Sequence, residues 1–349
     1  MKRVSHLSNM KDVAKLAGVS IATVSNVLSG NKYVSPELRE KVLESIDRLQ
    51  YRPSKIARSL KIKKSFLVGL MVPDITNPYF AEIARGVESV ALEHDYQMFL
   101  CNSDGEKSRE EETLDSFHSH GVDGVINVAP RMEETILAEL SNGMPMVILD
   151  RHLSIENPLI DVIYTNNFKG SAQLARHFLE NGHRRFACIA GPREVPTAVR
   201  RLQGFCNELE KSGIGKEEIT VYYASFKYED GYNTMRLIME QKPRPTAVFA
   251  GNDMMAWGAI EAAKERGLRV PEDIAVAGFD NVLYSSLVVP AMTTVHQPKF
   301  EAGQTAMRLL LEKIQKKSRR ESVYTRKIEL DSNLIVREST LSRKIPEVN

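Results

Sequence analysis

The sequence lacks the features that define several large protein classes. None of its apolar runs approaches the roughly 20 residues of a membrane-spanning helix. The start, MKRVSHLSNM, has no apolar core of an export signal, so we expect the protein to stay in the cytoplasm. Only three cysteines occur, Cys101, Cys188 and Cys206, and their wide separation suits neither a disulfide framework nor a zinc site. The composition therefore favours a reduced, cytoplasmic protein without a structural metal.

Common catalytic motifs are also missing. The sequence contains no GxSxG, no P-loop, no HExxH and no GxGxxG at the start of a helix, so it indicates no cofactor. A glycosidase that uses Asp150 and Asp280 as a carboxylate pair is the enzyme alternative. That alternative would leave the basic N-terminal segment without a task, and we predict a protein that is not an enzyme.

Charge is unevenly distributed over the 349 residues. Residues 1–65 contain 14 Lys and Arg and 5 Asp and Glu, a net charge of +9. The remaining 33 basic and 40 acidic residues give −7. A small basic head on an acidic body is typical of a nucleic-acid-binding domain fused to a second domain.

The basic head begins with two short helical patterns, KDVAKLAGVSIATVSNVLSG. Asn9 and Ser20 are placed to cap the two helices, and Gly18 permits a sharp turn between them. A third helix is predicted from Pro36 to about residue 50, with Leu38 among its inward residues. This arrangement predicts a helix-turn-helix, with a three-helix bundle of no DNA role as the alternative.

The second of these helices has an unusually bare outer face. Its outward residues are short, namely Ile21, Ala22, Ser25 and Asn26. A helix that enters the major groove must let base edges approach, which explains such a face. The following segment, PSKIARSLK, predicts a helix too short to be stable alone.

The stretch from Met10 to Lys61 resembles the DNA-binding head of the LacI/GalR family of bacterial repressors. The resemblance implies that Ile21, Ala22 and Asn26 read bases. It implies phosphate contacts for Ser20, Thr23 and Ser25. It also implies a hinge helix that folds on DNA against its twin from a second subunit, with Leu60 wedged into the minor groove.

From residue 65 onward, short apolar runs alternate with amphipathic helical stretches. The apolar runs are FLVGLMV, QMFLCN, GVINVA, PMVILD, FACIAG, VYYASF, TAVFAG and IAVAGF. Such runs predict parallel sheets covered by helices on both faces. Because there are too many strands for one compact unit, we predict an α/β body of two doubly wound parallel-sheet subdomains, similar to periplasmic binding proteins, behind an all-α head.

These patterns divide the chain as follows. The predicted domains are a helix-turn-helix domain at 1–53, a hinge helix and linker at 54–64, and an effector-binding and dimerisation domain at 65–349. The predicted subdomains are about 65–165 with 296–325, and about 166–295 with 326–340.

Polar side chains and aromatic rings follow the predicted strands. Ligands of open parallel sheets bind at the carboxyl ends of strands, where Asp150, Asp280 and Asn252 stand. Each of these alone could be a helix N-cap, and Arg201 alone could be a surface arginine. Carboxylates, arginines, amides and flat rings together suit a small polyhydroxylated ring such as a sugar.

The body also resembles the LacI/GalR family, over residues 66–338, and its pieces NPYF, LDR, RRLQGF, GND, GFDN and HQP resemble ribose-type members especially. The resemblance implies sugar contacts by Asn77, Tyr79, Phe80, Asp150, Arg151, Arg201, Phe226, Asn252, Asp280 and Gln297. It departs from the ribose binders at Tyr79, often phenylalanine there, and at His296. Purine-binding members share HQP but place an aromatic residue within the LDR segment.

The implied protein is a homodimeric repressor of a carbohydrate operon, which binds pseudo-palindromic operator DNA and is released by a monosaccharide, most simply ribose. Purine control, or a global catabolite regulator that needs a phosphoprotein partner, are the alternatives within the family. An exported sugar carrier is a further class, and the missing signal peptide and the extra head count against it.

Overall fold

The computed structural model describes residues 9–29, 32–51, 64–141, 143–154 and 157–341. The chain forms two compact units, Met1–Phe66 and Leu67–Asn349. The predicted hinge helix, with Leu60, lies outside the described residues.

The first unit contains three helices, Met10–Ala17, Ile21–Ser29 and Pro36–Arg48. Asn9 and Asp12 form a capping box: Asn9 Oδ1 accepts the Asp12 amide at 3.3 Å and Asp12 Oδ2 accepts the Asn9 amide at 2.9 Å. These bonds satisfy amide groups that a helix start leaves free.

A left-handed glycine ends the first helix and a serine starts the second. Gly18 has a φ of 67°, and Ser20 Oγ accepts the Thr23 amide at 3.1 Å. The helices bury a small core of Val13, Ala14, Val24, Val27, Val42 and Tyr51. The prediction that Leu38 points inward is wrong, because its side chain lies near the start of the third helix and is 38% exposed.

The second unit holds two six-stranded sheets. Its strands are β1 Leu67–Val72, β2 Gln97–Asn102, β3 Gly124–Val128, β4 Met146–Leu149, β5 Ile160–Thr165, β6 Phe186–Ala190, β7 Ile219–Tyr223, β8 Ala247–Ala250, β9 Ala275–Asp280, β10 Thr293–His296, β11 Lys327–Leu330 and β12 Asn333–Ile335. The first sheet has the order β11-β5-β4-β3-β1-β2 and the second β12-β10-β9-β8-β6-β7. Every pairing is parallel except β10 with β12.

Helices alternate with these strands. Their bounds are Pro78–Glu93, Lys107–Ser119, Glu134–Leu140, Asn167–Glu180, Pro196–Lys211, Tyr228–Met239, Asp253–Glu265, Tyr284–Leu287 and Lys299–Ser318. Apolar side chains fill the space between sheets and helices, with two separate clusters at the second sheet and one at the first. The predicted fold class, two doubly wound subdomains behind a helical head, is confirmed.

The chain crosses between the two sheets three times. It passes from β5 to the helix Asn167–Glu180, from β10 to the helix Lys299–Ser318, and from β11 to β12. The predicted third boundary at 325/326 is wrong, because β11 pairs with β5 of the first sheet. This edge strand, KIEL, exposes every second residue and has no continuous apolar run to mark it. Among the described residues, no helix is long and apolar enough to cross a membrane.

Candidate nucleic-acid interface and effector site

The second helix of the head presents a bare outer face. Ile21 is 44% exposed, Ala22 is exposed, and Ser25 and Asn26 are half-buried. The helix contains no acidic or basic residue, and its inward Val24 and Val27 are buried. Short side chains with one outward amide permit close approach to a groove.

The two hydroxyls at the start of this helix serve its cap. Ser20 Oγ lies 2.9 Å from Thr23 Oγ1, in addition to accepting the Thr23 amide. The predicted phosphate contacts of Ser20, Thr23 and Ser25 remain predictions. This cap fixes the residue at which the helix begins, and the position of the outer face therefore depends on Ser20.

A buried polar network joins the strand ends of the second unit. Arg201, on the helix after β6, places Nη2 3.2 Å from Asp280 Oδ1 at the end of β9. Gln297 Nε2 donates to the same Asp280 oxygen at 2.7 Å. We call the parts of the body built on the first and the second sheet its first and second half. The hydroxyl of Tyr79, from the first half, donates to Gln297 Oε1 at 3.5 Å. All four side chains are buried, so the network spans both halves out of contact with bulk water.

Two carboxyl groups of this site have perturbed pKa values. Burial raises the pKa of Asp150 to about 7, opposed by the charge of Arg201 and supported by the nearby Asp280. Burial also raises the pKa of Asp280, while Arg201 and Lys299 oppose the shift. Carboxyl groups whose pKa is raised by burial beside a specific charged partner are a physical mark of a functional site.

One buried oxygen of this site has no partner. Among the described residues, Asp150 Oδ1 is buried without a hydrogen bond, as are both polar atoms of the Asn127 side chain. An unpaired buried acceptor is costly, and a ligand hydroxyl would satisfy it. The acceptor therefore points to a ligand with hydrogen-bond donors.

Backbone strain marks the same strand ends. Asp150, Phe226 and Asp280 have φ values of 62°, 70° and 111°, in the region that favours glycine. Strained residues persist where their surroundings over-determine them, and they concentrate at functional sites. Three of the ten predicted effector residues share this property.

The chain is similar to known proteins over both of its units. Residues 9–54 match the bacterial regulatory proteins of the lacI family, and residues 175–340 match a periplasmic binding protein-like domain. A relative from Edwardsiella ictaluri, called HTH-type transcriptional repressor PurR, is 39% identical over 95% of this chain and 97% of its own length. A PurR from Pasteurella multocida is 37% identical over 97% of this chain and 100% of its own.

The chain belongs to the LacI family of bacterial regulatory proteins. It is thus a DNA-binding transcriptional repressor, and the predicted absence of enzyme function agrees with relatives that are regulators.

Solved structures similar to this LacI-family repressor carry different ligands. A lac repressor dimer bound to operator and the anti-inducer ONPF has a TM-score of 0.85 and 26% identity, over 96% of this chain and 99% of that one. A LacI-family regulator from Enterococcus faecium with bound ribose has a TM-score of 0.71 and 31% identity, over 78% of this chain and 98% of that one.

Other predicted effector residues of this LacI-family repressor contact the backbone and aromatic rings around the site. Asn77 Oδ1 caps the helix Pro78–Glu93 through the Tyr79 amide at 3.0 Å, and the half-buried Phe80 meets the Tyr79 ring edge-to-face. Arg151 donates to the carbonyl oxygens of Pro130, at 2.9 Å, and Met132. The described bonds of Arg151 thus stay within the first half.

Asn252 has the helix-cap geometry that was the alternative to a ligand role. Its Oδ1 accepts the Met255 amide at 2.9 Å, and its Nδ2 donates to the Phe226 carbonyl at 2.9 Å. The Phe226 ring lies against Gly191, where a Cβ would come within 2.1 Å of the ring. Asn252 and Gly191 together fix where this aromatic face stands.

Sequence reasoning missed Asn167. Its Oδ1 accepts Arg201 Nε at 2.7 Å, its Nδ2 donates to the Thr165 carbonyl, and its side chain also lowers the pKa of Asp150. Arg201 is held further by the Gly251 carbonyl at 2.7 Å and by the face of the Phe279 ring at 4.0 Å. Its place in the sequence could have indicated this role, because Asn167 directly follows β5, where the chain first crosses from the first sheet to the second.

Proposed function

We propose that a monosaccharide, most simply ribose, is the effector of this repressor and that its binding releases operator DNA. The unpaired, buried Asp150 Oδ1 carries the proposal. Asp150 and Asp280 supply carboxylate acceptors from both halves, whereas Gln297 already accepts from the Tyr79 hydroxyl and donates to Asp280. A ring with several hydroxyl donors matches such a surplus of acceptors better than a ligand with few donors.

A ligand held from both halves biases their relative angle, which is what a switch requires. Tyr79 and Asp150 come from the first half, and Arg201 and Asp280 from the second. For a full reversal of the equilibrium the effector would have to bind one state roughly 10⁴-fold more tightly than the other.

We also propose a homodimer on a pseudo-palindromic operator, with one head on each half-site and Leu60 of each hinge in the minor groove. The exposed Ile21 and Ala22 and the half-buried Asn26 on the outer face of the second helix support the reading of bases in the major groove. Loss of DNA bending and weaker operator binding in Leu60→Gly would support the hinge role. Unchanged bend and affinity would count against it.

A purine base is the second candidate effector. It is favoured by the relatives called PurR, which match the chain over nearly its full length at up to 39% identity. Phe80 and Phe226 border the site and supply flat faces for such a base.

Isothermal titration with ribose, other pentoses, hexoses, hypoxanthine and guanine separates the two candidates. Operator binding by fluorescence anisotropy then gives the sign of the effect. We expect ribose to bind and to release operator, and Asp280→Asn to bind operator but to resist release. Binding of a purine alone would refute the sugar effector, and tighter operator binding with ribose would refute the sign.

A further inference from the structure

A buried lysine directly follows the effector site. Lys299 is the first residue of the helix Lys299–Ser318, and its side chain is 1% exposed. Its Nζ donates to the carbonyl oxygens of Asp280 at 2.8 Å, Asn281 at 3.0 Å and Gln297 at 3.4 Å. Two of these carbonyls thus belong to residues that form the polar network, and none of the three bonds is needed to form a helix or sheet.

The Lys299 ammonium lies beneath a strained turn. Asp280 and Asn281 have φ values of 111° and 52°, two successive positive values at non-glycine residues. Such a turn costs free energy and persists only where other contacts hold it. With this backbone, the carbonyl oxygens of Asp280 and Asn281 face Lys299. The Asp280 carboxylate faces Arg201 and Gln297 instead.

Lys299 itself stands on a helix of the first half, which packs against the helix Pro78–Glu93. Its Nζ lies 3.6 Å from Glu82 Oε2 on that second helix, whose first turn carries Tyr79 and Phe80. Lys299 therefore contacts the turn after β9, the second crossing and the helix that carries the aromatic wall of the site.

We infer that Lys299 is a positioning residue: from a helix of the first half, its ammonium holds the Asp280–Asn281 turn of the second half so that the Asp280 carboxylate faces the effector, and Glu82 adds a second contact of the first half to that ammonium. Lys299 acts through Asp280 and Gln297. The effector part of this inference rests on the proposed function, whereas the part about the turn does not.

The chain contains a matched control on the same helix. The Lys313 side chain is likewise buried, at 2% exposure. Its Nζ donates to the carbonyls of Pro158 at 2.8 Å and Tyr324 at 3.1 Å, and it pairs with Asp161 at 2.9 Å. These partners lie in the first half, away from the Asp280 turn. Lys313→Met therefore removes a comparable buried ammonium without touching the effector site.

Hydrogen exchange of the full-length protein without effector tests the turn. The Asn281 and Val282 amides donate to Thr294 Oγ1 at 3.1 Å and Asp253 Oδ2 at 2.8 Å. We expect Lys299→Met to speed exchange in a peptide covering residues 280–283 by about tenfold, because the turn opens locally, and Lys313→Met to leave it near the wild-type rate. Wild-type exchange in Lys299→Met, or equal acceleration in Lys313→Met, would overturn the inference.

Ribose titration tests the consequence for the effector. We expect Lys299→Met to weaken ribose binding by about tenfold or more, because the acceptor Asp280 loses its fixed direction. Glu82→Gln should weaken it by about twofold, since its pair with Lys299 is long and partly exposed. Wild-type affinity in Lys299→Met would refute the role in effector binding. Failure of the wild type to bind ribose would instead refute the proposed effector, and the exchange result would still decide the role of Lys299.

If Lys299→Met does not fold, Lys299→Gln is measured with both methods. Glutamine keeps two donors but loses the charge and part of the length, so the same directions are expected with smaller changes. Wild-type exchange and affinity in this variant would overturn the inference.

Discussion

The two units of this repressor place their functional side chains in opposite environments. On the head, the proposed base-reading residues are exposed or half-buried, with Ile21 at 44% exposure. In the body, Asp150, Arg201 and Asp280 are 5%, 5% and 4% exposed. The head thus offers side chains that act one by one on a partner, whereas the body holds groups that depend on one another.

This difference sets the size of the expected mutational effects. An exposed polar side chain loses only the contact it makes with its partner, because water satisfies it otherwise. A buried charged group that loses its partner stays unsatisfied, which costs several kcal/mol. Substitutions in the body should therefore have larger effects than substitutions on the head, and four measurements test this difference.

The largest effect is expected for Arg201→Ala. It leaves the Asp280 carboxylate buried without its cation, at a cost of about 3–5 kcal/mol, and the repressor should no longer release operator when ribose is added. Fluorescence anisotropy of labelled operator with and without ribose measures this. Arg200→Ala, an exposed neighbour on the same helix, is the control and should release normally. Normal release by Arg201→Ala would contradict the network.

A smaller effect is expected for Asn26→Ala on the head. Loss of one directed amide should cost about 1–3 kcal/mol against the best site and relax base preference at one operator position. Selection from random operators, with Ser35→Ala in parallel, measures the preference. Identical selected sequences for Asn26→Ala and wild type would show that Asn26 does not read a base.

Effector binding should depend on pH through Asp150. Its carboxyl group, with a pKa of about 7 raised by burial, is mostly protonated at pH 6. Ligand hydroxyls donate to the ionised form, so affinity should rise about tenfold between pH 6 and pH 8. The groups around Asp150 are Tyr79, Arg201, Asp280 and Asn167. Titration calorimetry at both pH values tests the slope, which should flatten in Asp150→Asn; a slope that persists there would assign the titration to another group.

The smallest effect is expected at a helix cap in the head. Ser20→Ala removes the bond to the Thr23 amide and should lower the free energy of unfolding by about 1 kcal/mol. Ser35 makes no side-chain cap bond, so Ser35→Ala should change stability by only a few tenths. Hydrogen exchange of head peptides in the full chain compares them. Equal losses would mean that the Ser20 bond does not stabilise the helix.

Much of the fold could be predicted because its signals are local. The capping box at Asn9, the turn at Gly18 and the cap at Ser20 each lie within a few residues of the helix they begin or end. The apolar runs that predicted strands correspond to β1–β4 and β6–β9, which are continuous apolar segments in the sequence whether the strand is central or at an edge of its sheet. Residues 327–330 were assigned to the wrong half, because β11, KIEL, alternates charged and apolar residues and so contains no apolar run.

The tertiary structure also brings together residues that sequence reasoning kept apart. Burial raises the pKa of the Cys188 thiol, and the neighbouring Cys206 thiol adds to that shift. Both remain free cysteines. Their separation in sequence did not predict this proximity, because Cys188 stands on the strand β6 and Cys206 on the helix Pro196–Lys211 that covers it.

The basic helix-turn-helix head, the doubly wound body and the strand ends at which polar side chains gather follow from the sequence alone, since period, caps and charge are properties of short segments. Which of those side chains meet depends on the tertiary structure. It turned Arg151 toward the Pro130 carbonyl and brought Asn167 to Arg201 and Lys299 to the Asp280 turn. The physical reason is that these contacts depend on three chain crossings and on positive φ angles at strand ends, which set side-chain directions that no local pattern encodes.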